Sequence, residues 1–254
     1  MPTHRDRLAR SRPCTTGRDQ QTGPDVTSGH SWAASAVERT EAALRPLANA
    51  DEAGPMQAYM KNVAPFLGIK TPARRVAQRV AWAPLGDPSE GALATAIRRL
   101  WQLPEREFQY AAIELAGKHV RACGMTFIND PVEELITDKS WWDTVDSFAG
   151  TVVGPLVKKN PELVEEIELW SESDNRWLIR SAIIHQLRRK DTTDVDLLFR
   201  LCRRHADDTE FFVAKAIGWA LRQYAYVDPD AVLRFVAATP MQPLSLREAT
   251  RNIA

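Results

Sequence analysis

Apolar positions recur at helical spacing through most of this chain, and the helices they predict recur in turn. From about residue 32 onward, apolar side chains return every three or four positions, the mark of one buried face of an α-helix. Amphipathic segments open near residues 72, 105, 140, 174 and 209, a rhythm of 33 to 35 residues. A second apolar helical segment follows each one, near 88, 129, 161, 192 and 229. A period of this length belongs to stacked helix pairs, each burying its apolar face only against its neighbours. No stretch alternates apolar and polar residues for long enough to argue for a sheet. The expected fold is an all-α solenoid, with function along one concave groove rather than in a closed pocket.

Local punctuation agrees with the period. Pro72, Pro88, Pro104, Pro131 and Pro161 stand where first helical turns are expected. Thr71, Asp87, Asp130 and Asn160 precede four of them as candidate N-caps, and Asp174 and Asp191 are candidates for later helices. Residues 1–31 differ from the rest, being rich in Arg, Thr, Gly and Pro and almost without large apolar side chains. They are expected to form a disordered Arg-rich tail, leaving 32–254 as the helical domain.

Composition narrows the picture only a little. The 254 residues carry 33 basic and 33 acidic side chains, so net charge neither demands nor excludes a polyanionic partner. No apolar run is long enough to span a bilayer, so a soluble, cytoplasmic protein without membrane partners is expected. Cys14, Cys123 and Cys202 are odd in number and far apart, which suits reduced structural thiols better than disulfides or zinc ligands. His4, His30, His119, His185 and His205 are scattered, and neither metal nor cofactor is expected.

Three helices carry candidate chemistry. Over 140–158, Val145, Phe148, Ala149, Val152 and Leu156 form the core stripe together with Trp141. Trp142 and Asp146, one turn apart, share the edge of that stripe. They read either as a partly buried indole beside a solvated acid or as an aromatic and a carboxylate facing one site. Over 174–190, Ile179, Ile183, Gln186 and Leu187 face inward, while Trp177, Arg180, Ile184 and Arg188 line one flank. That arginine row suits phosphate contacts, and equally a surface ion-pair row with the acidic helix before it. Over 209–226, Val213, Ile217, Ala220, Leu221 and Tyr224 make the core stripe. Trp219 points elsewhere, on a face with Phe212, Lys215 and Arg222. An exposed aromatic among cations marks a binding surface, unless another helix covers it. Side by side, the three flanks would offer indoles, arginines and one acid to DNA.

Several segments resemble the AlkD-type DNA alkylation repair proteins, a HEAT-like-repeat family of DNA glycosylases. They are YMKNVAPFLGIKTPARR (59–75), SWWDTVDSFAG (140–150), DNRWLIRSAIIHQLRRK (174–190), FFVAKAIGWALRQYA (211–225) and LSLREA (244–249). The likeness runs from about residue 35 to the C-terminus. It implies a right-handed superhelix of HEAT-like pairs with a concave DNA-binding groove. It also implies excision of cationic N3- and N7-alkylated purines, such as 3-methyladenine and 7-methylguanine, without turning the base into a pocket. By the same resemblance Asp146 is the catalytic carboxylate, and Trp142 and Trp219 are the indoles around the lesion's deoxyribose. Arg180 is the groove arginine, Tyr59 an aromatic near the lesion, and Thr71, Arg75, Arg188 and Arg222 are DNA-contacting positions. The family commonly has lysine where this chain has Arg188, which keeps the charge. Double-stranded DNA containing alkylated bases is the implied partner, and a monomer the default state.

The chemistry suits a carboxylate. Alkylation makes the purine a cationic leaving group, and positive charge grows on the sugar as the N-glycosidic bond stretches. A partly dry carboxylate near C1′ stabilises that charge and can align water. The alternatives from other classes are a non-catalytic DNA-structure binder on the same scaffold, and a protein-binding HEAT-like scaffold.

Overall fold

The computed structural model describes residues 26–253, and every regular element among them is helical. Helices α1 (Val26–Leu44), α2 (Ala50–Tyr59), α3 (Thr71–Trp82), α4 (Glu90–Gln102) and α5 (Arg106–His119) make the first half. A kinked π-type segment, Ile128–Glu133, leads into α6 (Glu134–Thr137). Helix α7 (Trp142–Phe148) runs through a second π-type turn, Ala149–Val153, into α8 (Gly154–Lys159). Then follow α9 (Val164–Ser171), α10 (Arg176–Ile184), α11 (Val195–Arg204), α12 (Phe211–Ala225), α13 (Pro229–Ala238) and α14 (Pro243–Thr250). The first helix of each repeat starts at 71, 106, 142, 176 and 211, within two residues of the positions expected from the apolar rhythm. The fold is a helical solenoid.

Its core is a single apolar seam through the stack. The stripe expected in α7 and α8 is fully inside: Val145, Phe148, Ala149, Val152 and Leu156 are all buried. Helix α10 is buried on every side from Trp177 to Gln186, as expected of a helix packed between α9, α7 and α12. Each fully buried Ile or Leu there contributes about 1.5–3 kcal/mol. The last pair closes tightly. A Cβ on Gly218 of α12 would overlap the Glu248 side chain of α14, so glycine is needed for that approach.

Several sequence expectations need correction at their edges. Lys70 precedes α3, so Thr71 is its first residue rather than its cap. Ser89, not Asp87, caps α4, accepting from the Ala92 N–H. Asn175 and Asp194 cap α10 and α11 in place of Asp174 and Asp191, because each lies next to the first turn with its oxygen on a free N–H. Asp130 lies inside the kinked segment with extended backbone and pairs with Arg98. Asn160 precedes a short 3-10 turn without capping it through its side chain, which donates back to the Leu156 carbonyl instead. The Arg-rich tail lies outside the described residues as far as residue 25, but α1 already begins at Val26, ahead of Trp32. That helix is held by Ala33, Ala36 and Leu44 in the core, and by the Trp32 indole donating to the Gly86 carbonyl at 2.8 Å.

Candidate functional site

Helix α7 carries two carboxylates three residues apart, and a neighbouring repeat grips each of them. From α5, Arg106 reaches forward with a two-pronged contact to Asp143, Nη2 to Oδ1 at 2.6 Å and Nε to Oδ2 at 2.9 Å. Its remaining donors reach the Lys139 carbonyl and Thr144 Oγ1, and Tyr110 donates to Asp143 as well. Arg106 is fully buried. From α10, Arg180 reaches back in the same manner to Asp146, Nε to Oδ1 at 2.6 Å and Nη2 to Oδ2 at 2.8 Å. Its Nη1 donates to the Phe212 carbonyl at 2.7 Å. Two arginine forks therefore fix α7 in rotation and height, and with it Trp142 and Asp146.

Trp142 and Trp219 line one open cavity of about 280 Å³ with Arg180, Lys215, Arg222, Phe211 and Glu248. Arg180, 5% exposed, lies with its guanidinium 6.0 Å from the ring centres of both Trp219 and Phe212. Trp141 and Trp177 are packed behind it on Phe212, so the reading of Trp141 as a packing residue holds, while Trp177 belongs to the core and not to a flank. Trp142 is also a wall of a second cavity, about 470 Å³, with Tyr59, Thr71, Arg75, Tyr110 and Asp143. Tyr59 is 71% exposed and meets Trp142 edge-on at 6.3 Å. Eight of the nine residues singled out from sequence thus belong to these two joined troughs: Tyr59, Thr71, Arg75, Trp142, Arg180, Trp219 and Arg222 line them directly, and Asp146 is bonded to their wall through Arg180. Arg188 does not; it lies farther along, on a separate cavity.

Electrostatics in the troughs are closely paired. Burial pushes the Asp146 carboxyl above the usual carboxylate range; the Arg180 fork opposes that push, while the charge of Asp143 adds to it. Glu248 bridges Lys215 at 2.9 Å and Arg222 at 2.6 Å, and these contacts, Lys215 foremost, hold its carboxyl below the usual range. Arg75 is held by Glu114 at 2.8 Å, and Glu114 also binds the buried Arg74. Arg180 is therefore no member of a surface row with the acidic helix α9; Arg200 and Arg204 pair with Glu168 there instead.

Asp143, Glu248 and Glu114 escaped the sequence reading. A signal was available, because their partners lie close to one repeat away: 37 residues for Arg106 and Asp143, 34 for Arg180 and Asp146, 33 for Lys215 and Glu248. Among the described residues no group of three or more His, Cys, Asp or Glu side chains is placed to hold a metal ion, and no helix is long and apolar enough to cross a membrane. Cys123 and Cys202 are buried free thiols, and Cys14 lies outside the described residues.

The family model described as "DNA alkylation repair enzyme" matches residues 40–253, nearly the whole helical stack including both troughs. The chain belongs to the DNA alkylation repair enzyme family. Among solved structures, this family member is similar to one described as a predicted DNA alkylation repair enzyme from Enterococcus faecalis. The two share 31% identity at a TM-score of 0.76, over 81% of this chain and 96% of the other. No curated protein matches the sequence closely enough to count as a relative.

Proposed function

We propose that this family member is a monofunctional alkylpurine DNA glycosylase that hydrolyses the N-glycosidic bond of cationic N3- and N7-alkylated purines in duplex DNA. The observation that carries the reading is Asp146, fixed by Arg180 beside a trough walled by Trp142 and Trp219. An ionised carboxylate has about four lone-pair sites, and Arg180 takes two. The others remain for a developing oxocarbenium ion and for the attacking water. The indole faces add cation–π attraction of roughly 0.5–2 kcal/mol each as the sugar gains charge. They gain little against the neutral ground state, so they favour the transition state. A trough open to solvent fits a lesion held through its backbone better than one enclosed after flipping. Among the described residues Lys215 is the one lysine lining it, and its bond to Glu248 fits hydrolysis rather than a covalent lysine intermediate.

A second reading has its own support. Both Asp146 oxygens face Arg180, and Arg180 rather than Asp146 lines the trough, as would suit a DNA binder without excision. One assay separates them: release of free base from duplex DNA carrying 7-methylguanine or 3-methyladenine. Wild type should release base, and Asp146→Asn should be slower by about 10²–10⁴-fold while still binding DNA. Tight binding with no release by either protein would leave only the second reading.

A further inference from the structure

The cations of the two troughs are all engaged by carboxylates, but those of a third cavity are not. This cavity, about 700 Å³, is lined by Arg121, Lys158, Lys159, Arg188 and Arg189, with no acidic side chain among its walls. It opens where the C-terminal ends of three successive first helices converge: Arg121 just past α5, Lys158 in α8, and Arg188 just past α10. Two of its five cations are structural. Lys159 donates to the Arg121 and Cys123 carbonyls, and Arg189 to Gln186 and the Gly154 carbonyl. His185 closes the inner wall; it is fully buried and uncharged near neutral pH, since burial lowers its pKa to about 4. The other three, Arg121, Lys158 and Arg188, are exposed, with no ion pair or side-chain hydrogen bond among the described residues. Arg188 lies against Gly150, where even a Cβ would stand 3.3 Å from its Nε.

The cavity shares its helices with the Trp142–Trp219 trough. Gly150 follows Asp146 by about one turn, an offset of roughly 6 Å at helical rise, and Arg188 lies just past the end of the helix that carries Arg180. A duplex carries one phosphate charge per about 1.7 Å of its axis, so any duplex lying in the trough presents several phosphates within that offset. Three like charges left together without counter-charge repel one another, and a polyanion relieves that repulsion. We propose that Arg121 and Lys158, neither of them among the DNA-contacting positions that the resemblance implies, join Arg188 in a phosphate clamp for the same duplex, beyond the excision site and independent of the lesion. This rests on the DNA reading above. The clamp supplies lesion-independent hold, which the carboxylate-paired cations of the troughs supply only weakly.

The test is the salt dependence of binding to an undamaged duplex, by fluorescence anisotropy, for wild type, Arg121→Gln/Lys158→Gln and Arg121→Lys/Lys158→Arg. Both sites are exposed, so folding should survive, and circular dichroism checks it. The neutral double variant should flatten the slope of log K against log salt by about 1–2 and weaken damaged and undamaged duplex alike, while the charge-conserving variant keeps the wild-type slope. Wild-type binding with an unchanged slope in the neutral variant would overturn the clamp and leave the glycosylase reading standing. Inorganic phosphate binding that the neutral variant abolishes, with duplex binding untouched, would give the site to a small anion and overturn the clamp. No duplex binding by wild type would overturn the DNA reading, and the clamp with it.

Discussion

On the glycosylase reading proposed above, Asp146 carries the chemistry, and its surroundings set when it can act. Burial raises its pKa, and only the ionised form stabilises a cationic sugar. Excision should therefore be complete above that raised pKa and fall as pH drops through it, at a pH higher than the roughly 3.9 of a free aspartate. Arg180 opposes the shift, so Arg180→Ala should move the acid limb to still higher pH besides slowing excision. A pH–rate profile under single-turnover conditions reads both effects. An unmoved acid limb would mean that Arg180 acts on DNA alone. Since Arg180 already spends three of its donors inside the protein, its direct share of DNA affinity should be smaller than that of an exposed arginine.

At the scale of elements, what holds the site is the pair of forks on α7. Arg106→Ala would leave Asp143 buried without its cation, and a broken buried pair costs about 3–5 kcal/mol. Urea denaturation should show that loss, and base release should fall with it because Trp142 and Asp146 share the helix. This is also where the sequence was least informative. Apolar periodicity placed the first helix of each repeat to within two residues, because it is a local property of the chain, whereas the second helices begin up to five residues later than expected. The caps were misplaced by one to three residues, as Ser89, Asn175 and Asp194 compete with nearby Asp residues of the same capping ability. The π-type turns at 128–133 and 149–153 left no pattern to read. Trp142, Asp146 and Trp219 stood out as polar or aromatic residues off the core stripes. Their partners did not, because Asp143 and Glu248 look like ordinary acids until the stack brings an arginine from the next repeat onto them.

Across the whole molecule, charge is distributed rather than absent. Equal numbers of basic and acidic residues conceal a line of cations, some paired and some bare. Glu248→Gln should free Lys215 and Arg222 while preserving the shape of the α12–α14 contact. Undamaged duplex should then bind more tightly, with a salt slope steeper by about 1–2, measured on the same anisotropy titrations. A slope equal to wild type would place both cations outside any DNA footprint.

The carboxylates that guard these cations have a kinetic meaning. Before a passing phosphate can gain Arg75, Lys215 or Arg222, it must displace an acid already in place. Ordinary DNA would then gain little at the troughs, and hold on a sound duplex would fall to the bare cations of the third cavity, leaving the trough free to sample many sites in the time a bare basic groove would spend on one. If the protein is the glycosylase proposed above, it must find a rare lesion among millions of sound bases, and a weak grip of the trough on the wrong target would set the speed of the search.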